Sequence, residues 1–310
     1  MNYCVGIDIG GTKTSVCIAD DNARPIKTVT FPTEAILGAE SLVKRIGNTY
    51  KELLSELSLS AGQVDFCGVA CPGPLDVKQG RIIHIATMGF KNVPIREMLS
   101  NELKLPVYLE NDANCAALAE SELGVAKGKD PLVYVTISTG IGSGIIVNGQ
   151  ILSGGFSSAG ELGHLTVVPD GRQCPCGKKG CLELYSSGTA IARDGSANKG
   201  KELSTKEVFD LYRSGDREIK EIVDLAAEDL GLALSSVYHI IDPACIVLGG
   251  SVTKAYDCFK ESLLKALEKY TQPVQDRNIN IEISSFDGEQ VILGALIYGK
   301  GEHGKNGTKS

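Results

Sequence analysis

The sequence predicts an α/β protein in two lobes, built by internal duplication, and three observations carry that expectation. A strand, a glycine-rich turn and a returning strand occur at the start of the chain and again near its middle. Buried-strand patterns alternate with amphipathic helical ones along the whole length. The 310 residues are enough for a large core divided between two bodies.

Val5-Gly6-Ile7-Asp8-Ile9 reads as a buried strand, Gly10-Gly11-Thr12-Lys13-Thr14 as a turn, and Ser15 to Ala19 as the returning strand. A Walker loop has wider glycine spacing and leads into a helix, so this is a different device. Adjacent glycines bring backbone N–H groups close to an anion, and Thr12 and Lys13 add a hydroxyl and a positive charge. Asp8, at the strand end, suits a hydrated magnesium ion. A plain Gly-Gly hairpin explains the same residues taken alone.

Ala39 to Leu57 has helical spacing, with Leu42, Ile46, Tyr50, Leu53, Leu54 and Leu57 on one side. Asp65 to Ala70 is a strand ended by Cys71-Pro72-Gly73-Pro74, an extended loop whose backbone at Gly73 can approach a ligand closely. Arg81 to Ile85 is a further short strand. Leu105 to Glu110 then leads to Asn111-Asp112 and an alanine-rich helix from Cys115 to Glu120. Either Asn111 or Asp112 suits the N-cap. Asp112 equally suits a general base at a strand-to-helix crevice, where α/β folds place ligands.

The second copy of the first motif is Val133 to Ser138, Thr139-Gly140-Ile141-Gly142-Ser143-Gly144 and Ile145 to Val147. Two such hairpins facing one another would clamp a polyphosphate. Helical patterns follow from Thr205 to Tyr212 and from Glu218 to Ile240, the second stopped by Asp242-Pro243. Ala244 to Leu248 is a buried strand. Gly249-Gly250-Ser251 is either a tight turn or the cover of a planar base, with a helix N-terminus near phosphate. Tyr256 to Tyr270 is a helix, Ile279 to Ser284 a strand, and Val291 to Tyr298 a closing helix, with a polar, frayed tail expected from Gly299. The motifs place an N-terminal lobe at 1–112, joined by the closing helix (291–302), and a C-terminal lobe at 113–290.

Inside the second lobe, Glu161 to Glu183 gathers His164, Cys174, Cys176 and Cys181 on a short glycine-rich loop (164–181). One imidazole and three thiolates suit tetrahedral structural zinc. The one-residue spacing of Cys174 and Cys176 favours a shared metal over a mutual disulfide, and Gly177 and Gly180 let Cys181 close the site. Glu161 and Glu183 frame the loop. Two carboxylates and an imidazole edge fixed by a metal knot would hydrogen-bond a polyol, His164 ligating through one nitrogen and donating from the other.

Composition excludes several classes. Hydrophobic residues make up 43% and charged ones 22%, with a net charge of −7, so neither disorder nor a nucleic-acid footprint is expected. No run reaches the ~18 apolar residues of a membrane span, and Met1 to Val5 leads directly into the first strand without signal-peptide regions. Cys4, Cys17, Cys67, Cys71, Cys115, Cys245 and Cys258 are scattered singly in apolar segments, as small buried hydrophobes in a reducing cytoplasm are.

Taken together, the motifs resemble those of the ROK sugar kinases. Asp8-Ile9-Gly10-Gly11-Thr12-Lys13 is similar to that family's first phosphate motif and Ser138 to Gly144 to its second. Val247-Leu248-Gly249-Gly250-Ser251 resembles its adenosine motif, Glu110-Asn111-Asp112-Ala113-Asn114 its catalytic segment, and Glu161-Leu162-Gly163-His164 with Cys174 to Glu183 its zinc signature. The resemblance implies an actin-like, ribonuclease-H-like ATPase fold, with a cleft between two lobes whose closure excludes water. It implies ATP, Mg2+ and structural Zn2+, and an ATP-dependent phosphorylation of a hexose, glucose foremost, at its 6-hydroxyl. Asp112 would be the general base; Gly73, Asn111, Asp112, Glu161, His164 and Glu183 would bind the sugar. Asp8, Gly10, Gly11, Thr12, Lys13, Thr139, Gly140, Gly142, Gly249 and Gly250 would hold nucleotide and metal. The family implies a homodimer or homotetramer.

One segment departs from the family pattern. Ala86-Thr87-Met88-Gly89-Phe90 stands where many glucokinases of the family carry Asn-Leu and then a Trp. N-acetylmannosamine, N-acetylglucosamine, fructose, mannose and allose therefore stay open as substrates. The rival class is a sugar sensor without catalysis. The first glycine turn lies within the first residues, so the helix-turn-helix of the family's repressors is not expected.

Overall fold

The computed structural model describes residues 2–273 and 278–307. They form two compact units. The first is assembled from the chain up to Gly124, from Gln150–Ala159 and from Phe286 onward; the second from Val125–Gly149 and Gly160–Ser285.

In the first unit β1 (Tyr3–Ile9), β2 (Lys13–Asp20) and β3 (Pro25–Pro32) form an antiparallel meander. Helix α1 (Ala39–Glu56) leads to β4 (Val64–Cys71), parallel to β1. A small three-stranded sheet follows, of β5 (Leu75–Asp76), β6 (Arg81–Ile85) and β7 (Phe90–Val93). Helix α2 (Ile95–Leu103) then leads to β8 (Val107–Asn111), parallel to β4, and α3 (Asp112–Glu122). The strand order is β3-β2-β1-β4-β8. Covered on both faces, its parallel strands are near-continuous apolar runs. Val5, Ile7 and Ile9 pack in one cluster with Ile46 and Leu53 of α1 and Leu99 of α2. Each such fully buried side chain contributes about 1.5–3 kcal/mol over an exposed one.

The opposite face is covered by the closing helix (Gln290–Gly307), and two glycines make the approach possible. A Cβ on Gly68 would lie 1.9 Å from the Ala295 carbonyl oxygen, and one on Gly294 would lie 1.8 Å from that of Cys115. The expected frayed tail from Gly299 is corrected here: the helix continues to Gly307. His303 stacks on Phe66 of β4 at 5.2 Å between ring centroids, and its Nδ1 lies 3.2 Å from the Tyr108 hydroxyl on β8. The expected boundary at Asp112 also shifts, to Gly124, because α3 packs on the closing helix and so stays with the first unit.

The second unit repeats the plan. Strands β9 (Leu132–Ile137) and β10 (Ile141–Val147) are antiparallel, and β11 (Gln150–Ile151) follows in the chain but is counted with the first unit. Helices α4 (Glu183–Ser186), α5 (Gly188–Lys199), α6 (Thr205–Arg213) and α7 (Arg217–Ile240) precede β12 (Cys245–Gly249), parallel to β9. Helix α8 (Tyr256–Tyr270) and β13 (Ile281–Ile283), parallel to β12, complete it. The order β10-β9-β12-β13 matches β2-β1-β4-β8, so the duplication extends from the hairpins to the whole sheet. Val133, Val135, Ile246 and Leu248 share a core with Leu230, Leu234, Leu263 and Leu267.

The seven cysteines outside the 164–181 loop are all buried. No helix among the described residues is long and apolar enough to cross a membrane.

Candidate active site

Parallel pairing brings the first group of residues together at the strand ends. Asp8 is opposite Ala70 of β4, and Ala70 and Cys71 are opposite Glu110 and Asn111 of β8. Asp8, Gly73, Asn111 and Asp112 therefore share the carboxyl edge of one sheet, the position where α/β sheets bind ligands.

The cap question at α3 is decided for Asn111. Its Oδ1 accepts from the backbone N–H groups of Ala113 (2.9 Å) and Asn114 (3.3 Å), while Asp112 is the first helical residue. Asp112 Oδ1 accepts from Ala113 N at 2.8 Å. Gly73 passes close by, since a Cβ there would stand 3.4 Å from Asn111 Nδ2. Burial, and then the negative charge of Asp112, push the Asp8 carboxyl up to about 7.

Two residues here escaped the sequence reading. Glu110, 2% exposed, accepts from Asn111 N (2.8 Å) and Asn114 Nδ2 (3.0 Å), which fixes the strand-to-helix corner. Thr33 braces the first glycine turn from twenty residues away. Its Oγ1 donates to the Gly10 carbonyl (2.7 Å), its N–H donates to the Thr12 carbonyl (2.9 Å), and its hydroxyl lies 2.9 Å from that of Thr14. The turn closes with Gly10 N–H donating to Lys13 O at 2.9 Å, which leaves Gly11, Thr12 and Lys13 exposed. Glu110 sits inside a recognised segment, but no motif pointed to Thr33.

The second unit carries the other turn. Ser138 N–H donates to Gly140 O (2.9 Å), Gly188 N–H donates to Ser138 O (2.8 Å), and the Ser138 and Ser251 hydroxyls are 3.1 Å apart. Gly142 lies inside β10, opposite Thr136, instead of in the turn. Gly250 has φ 89°, and a Cβ there would lie 2.4 Å from Ile137 O, so the turn after β12 requires glycine. Beside these turns is a cavity of about 460 Å³ whose walls include Ser138, Thr139, Gly188, Thr189, Arg193 and Ser251. Of the expected nucleotide residues Thr139 lines it, whereas Gly140, Gly249 and Gly250 shape the backbone alongside. The start of α5, capped by Ser187 Oγ accepting from Ala190 N (3.1 Å), was not anticipated as a wall. The Ser186-Ser187 pair before that helix was its signal.

In the 164–181 loop the four predicted ligand atoms lie within 4.8 Å of one another. Cys174 Sγ is 3.8 Å from His164 Nδ1 and Cys176 Sγ is 3.6 Å from Cys181 Sγ. Tetrahedral zinc with bonds of about 2.3 Å to sulfur needs ligands roughly 3.8 Å apart, so the donor set fits it. Nδ1 faces the sulfurs, and Nε2 lies 4.0 Å from Glu161 Oε2. Gly180 has φ 75°, and a Cβ there would lie 1.8 Å from Val168 O, which brings Cys181 back against the chain. Glu161 is exposed at the head of the short turn Leu162–His164. Glu183 Oε2 accepts from Ile141 N at 3.0 Å, directly beside the second glycine turn.

Comparison with known proteins identifies the family. The description "ROK family" matches residues 4–302. A glucokinase from Halalkalibacterium halodurans is 32% identical over 307 residues, covering 94% of this chain and 93% of the relative. The ROK hexokinase of Thermus thermophilus superposes with a TM-score of 0.84 at 33% identity, covering 98% of this chain and 99% of that one. A ROK family glucokinase from Streptomyces griseus, solved with glucose and AMPPNP, superposes with a TM-score of 0.81 at 26% identity, covering 97% and 100%. The chain belongs to the ROK family and is an ATP-dependent sugar kinase of the actin-like ATPase fold.

Proposed function

We propose that the protein transfers the γ-phosphoryl group of ATP to the 6-hydroxyl of a hexose, glucose foremost, with Asp112 as general base. The observation that carries this reading is the division of labour at α3: Asn111 caps the helix, and Asp112 stands at its first turn in the same acidic corner as Asp8. Phosphoryl transfer requires positioning and charge neutralisation more than covalent help. Asp8 would hold hydrated Mg2+, which neutralises phosphate charge when bound. Gly10 to Lys13 and Thr139-Gly140 would bind phosphates, and the cavity at the head of α5 the nucleoside. Asn111, Gly73, Glu161, His164 and Glu183 would bind the sugar hydroxyls, with zinc held by His164, Cys174, Cys176 and Cys181.

One observation favours a broader sugar list. In the Ala86–Phe90 segment Met88 and Phe90 are buried in the core, while Ala86 and Thr87 are exposed. This segment lacks the Trp that many glucokinases of the family carry there, so N-acetylmannosamine and N-acetylglucosamine belong in the substrate panel.

ADP release from Mg-ATP across hexoses and N-acetylhexosamines tests the reading. The highest kcat/KM is expected for glucose, and Asp112→Asn should lower kcat about 10²–10⁴-fold with sugar binding and Tm retained. Loss of activity only in proportion to lost stability would return Asp112 to a structural role.

A further inference from the structure

The cysteine loop and the cavity at the head of α5 are joined by side chains that no motif includes. Arg172, two residues before Cys174, sends Nη1 to Asp194 Oδ2 (2.9 Å) and Nη2 to Asp194 Oδ1 (3.1 Å), a two-bond fork. Its Nη1 also donates to the Leu184 carbonyl (2.8 Å) and its backbone N–H to the Tyr185 hydroxyl (2.7 Å). The guanidinium lies over the Tyr185 ring at 4.7 Å. From the other side, the cavity-lining Arg193 donates through Nε to Asp194 Oδ1 (2.9 Å), and through Nη2 to Asp194 Oδ2 (3.1 Å) and to the same Leu184 carbonyl (2.7 Å).

Two arginines thus converge on one carboxylate and one carbonyl. Leu184 follows Glu183, whose carboxylate accepts from Ile141 N beside the second glycine turn. Isolated exposed ion pairs contribute little, but a planar fork within a network that also engages backbone carbonyls is the strong case. Nothing in metal binding requires Arg172, and nothing in the capping of α5 requires Asp194, since Ser187 performs it.

We propose that Arg172 and Asp194 are positioning residues that couple the order of the cysteine loop to nucleotide affinity, by fixing Arg193 in the cavity wall. The proposal rests on reading that cavity as the nucleotide site. With Arg172 docked, Asp194 is held from two sides and Arg193 has one position. With the loop disordered, Asp194 follows Arg193 alone, and the wall loses its fixed shape.

The test is binding of Mg-AMPPNP to the full chain, without sugar, by calorimetry. Asp194→Asn and Arg172→Lys, which keeps the charge but loses the fork, should each raise the Kd roughly three- to tenfold, the scale of coupling in such a network. The double variant should add little to either. Sugar Kd and zinc content should stay unchanged. Removing zinc with a chelator should weaken nucleotide binding in the natural protein and add nothing in Asp194→Asn. An unchanged nucleotide Kd in Asp194→Asn, or an equal chelator effect in both proteins, overturns the proposal. So does a parallel loss of sugar binding and Tm, which marks a merely structural role. Thr189→Trp, which fills the cavity, separates the premise: if it binds AMPPNP normally, the nucleotide reading of the cavity fails, and the proposal falls with it. If elemental analysis finds no zinc, the metal reading fails, and the two single variants decide the bridge alone.

Discussion

At the β8–α3 corner every functional side chain hangs from regular secondary structure, whereas between Thr166 and Cys181 the chain has only two isolated β-bridges and a series of tight turns. The corner holds Asn111 and Asp112 by strand pairing and a helix cap, and its cost is electrostatic, two carboxylates in one partly buried place. The loop holds His164 and Glu161 by turn hydrogen bonds in place of a helix or a continuous ladder, such as Gly180 N–H to Arg172 O (2.9 Å) and Val167 N–H to Gly180 O (2.9 Å), and its four donor atoms converge as metal ligands do. A change at the corner should therefore alter chemistry and pH dependence while the fold persists. A change in the loop should remove local order first, with function following.

The largest effect that would sharpen this contrast is expected at Cys181, buried and central to the donor set. Cys181→Ser should lose the metal, expose the loop between Thr166 and Cys181 to protease and raise the sugar KM at least tenfold, because ligand binding is folding energy in such a site. Elemental analysis with limited proteolysis measures it; a zinc-free, protease-resistant and fully active variant would erase the distinction between the two regions.

A smaller effect is expected at Asp8. Burial, reinforced by Asp112, raises its carboxyl from 3.8 to about 7, so the folded state binds this proton more tightly than the unfolded one. Stability from this source is full below about pH 4 and lost as pH rises to about 7, by an amount on the order of a few kcal/mol. In magnesium-free buffer, thermal unfolding should show this fall between pH 4 and 7, and Asp8→Asn should flatten it. An unchanged pH profile in Asp8→Asn would mean that the corner carries no electrostatic cost. The smallest effect is the cap: Asn111→Ala should destabilise by about 1 kcal/mol in urea unfolding. Its kcat should fall by much more than that loss of stability accounts for, since Asp112 begins the helix that Asn111 caps.

Much of the corner was legible because its elements are periodic. Helix Tyr256–Tyr270 has the bounds the sequence predicts, and the segment from Glu110 to Asn114 sits at the predicted strand-to-helix junction. The loop was legible for a different reason, since four soft ligands in eighteen residues have few other uses. Gly142 misled because a glycine in a glycine-rich run reads as turn, whereas pairing with Thr136 places it in β10. The tail from Gly299 misled because its polarity hides the His303 ring that docks on Phe66.

By itself the sequence determined the duplicated α/β plan, the two glycine turns and the gathering of His164, Cys174, Cys176 and Cys181 on one loop. All of these are local patterns, in which neighbouring residues carry both the signal and the chemistry. Only the tertiary structure decided that Asn111 holds the N-cap position while Asp112 begins the helix, that Thr33 braces the first glycine turn, and that Arg172 meets Arg193 at Asp194. Those contacts join residues on separate elements or choose between equivalent neighbours, and such choices depend on packing and register, which no periodicity records.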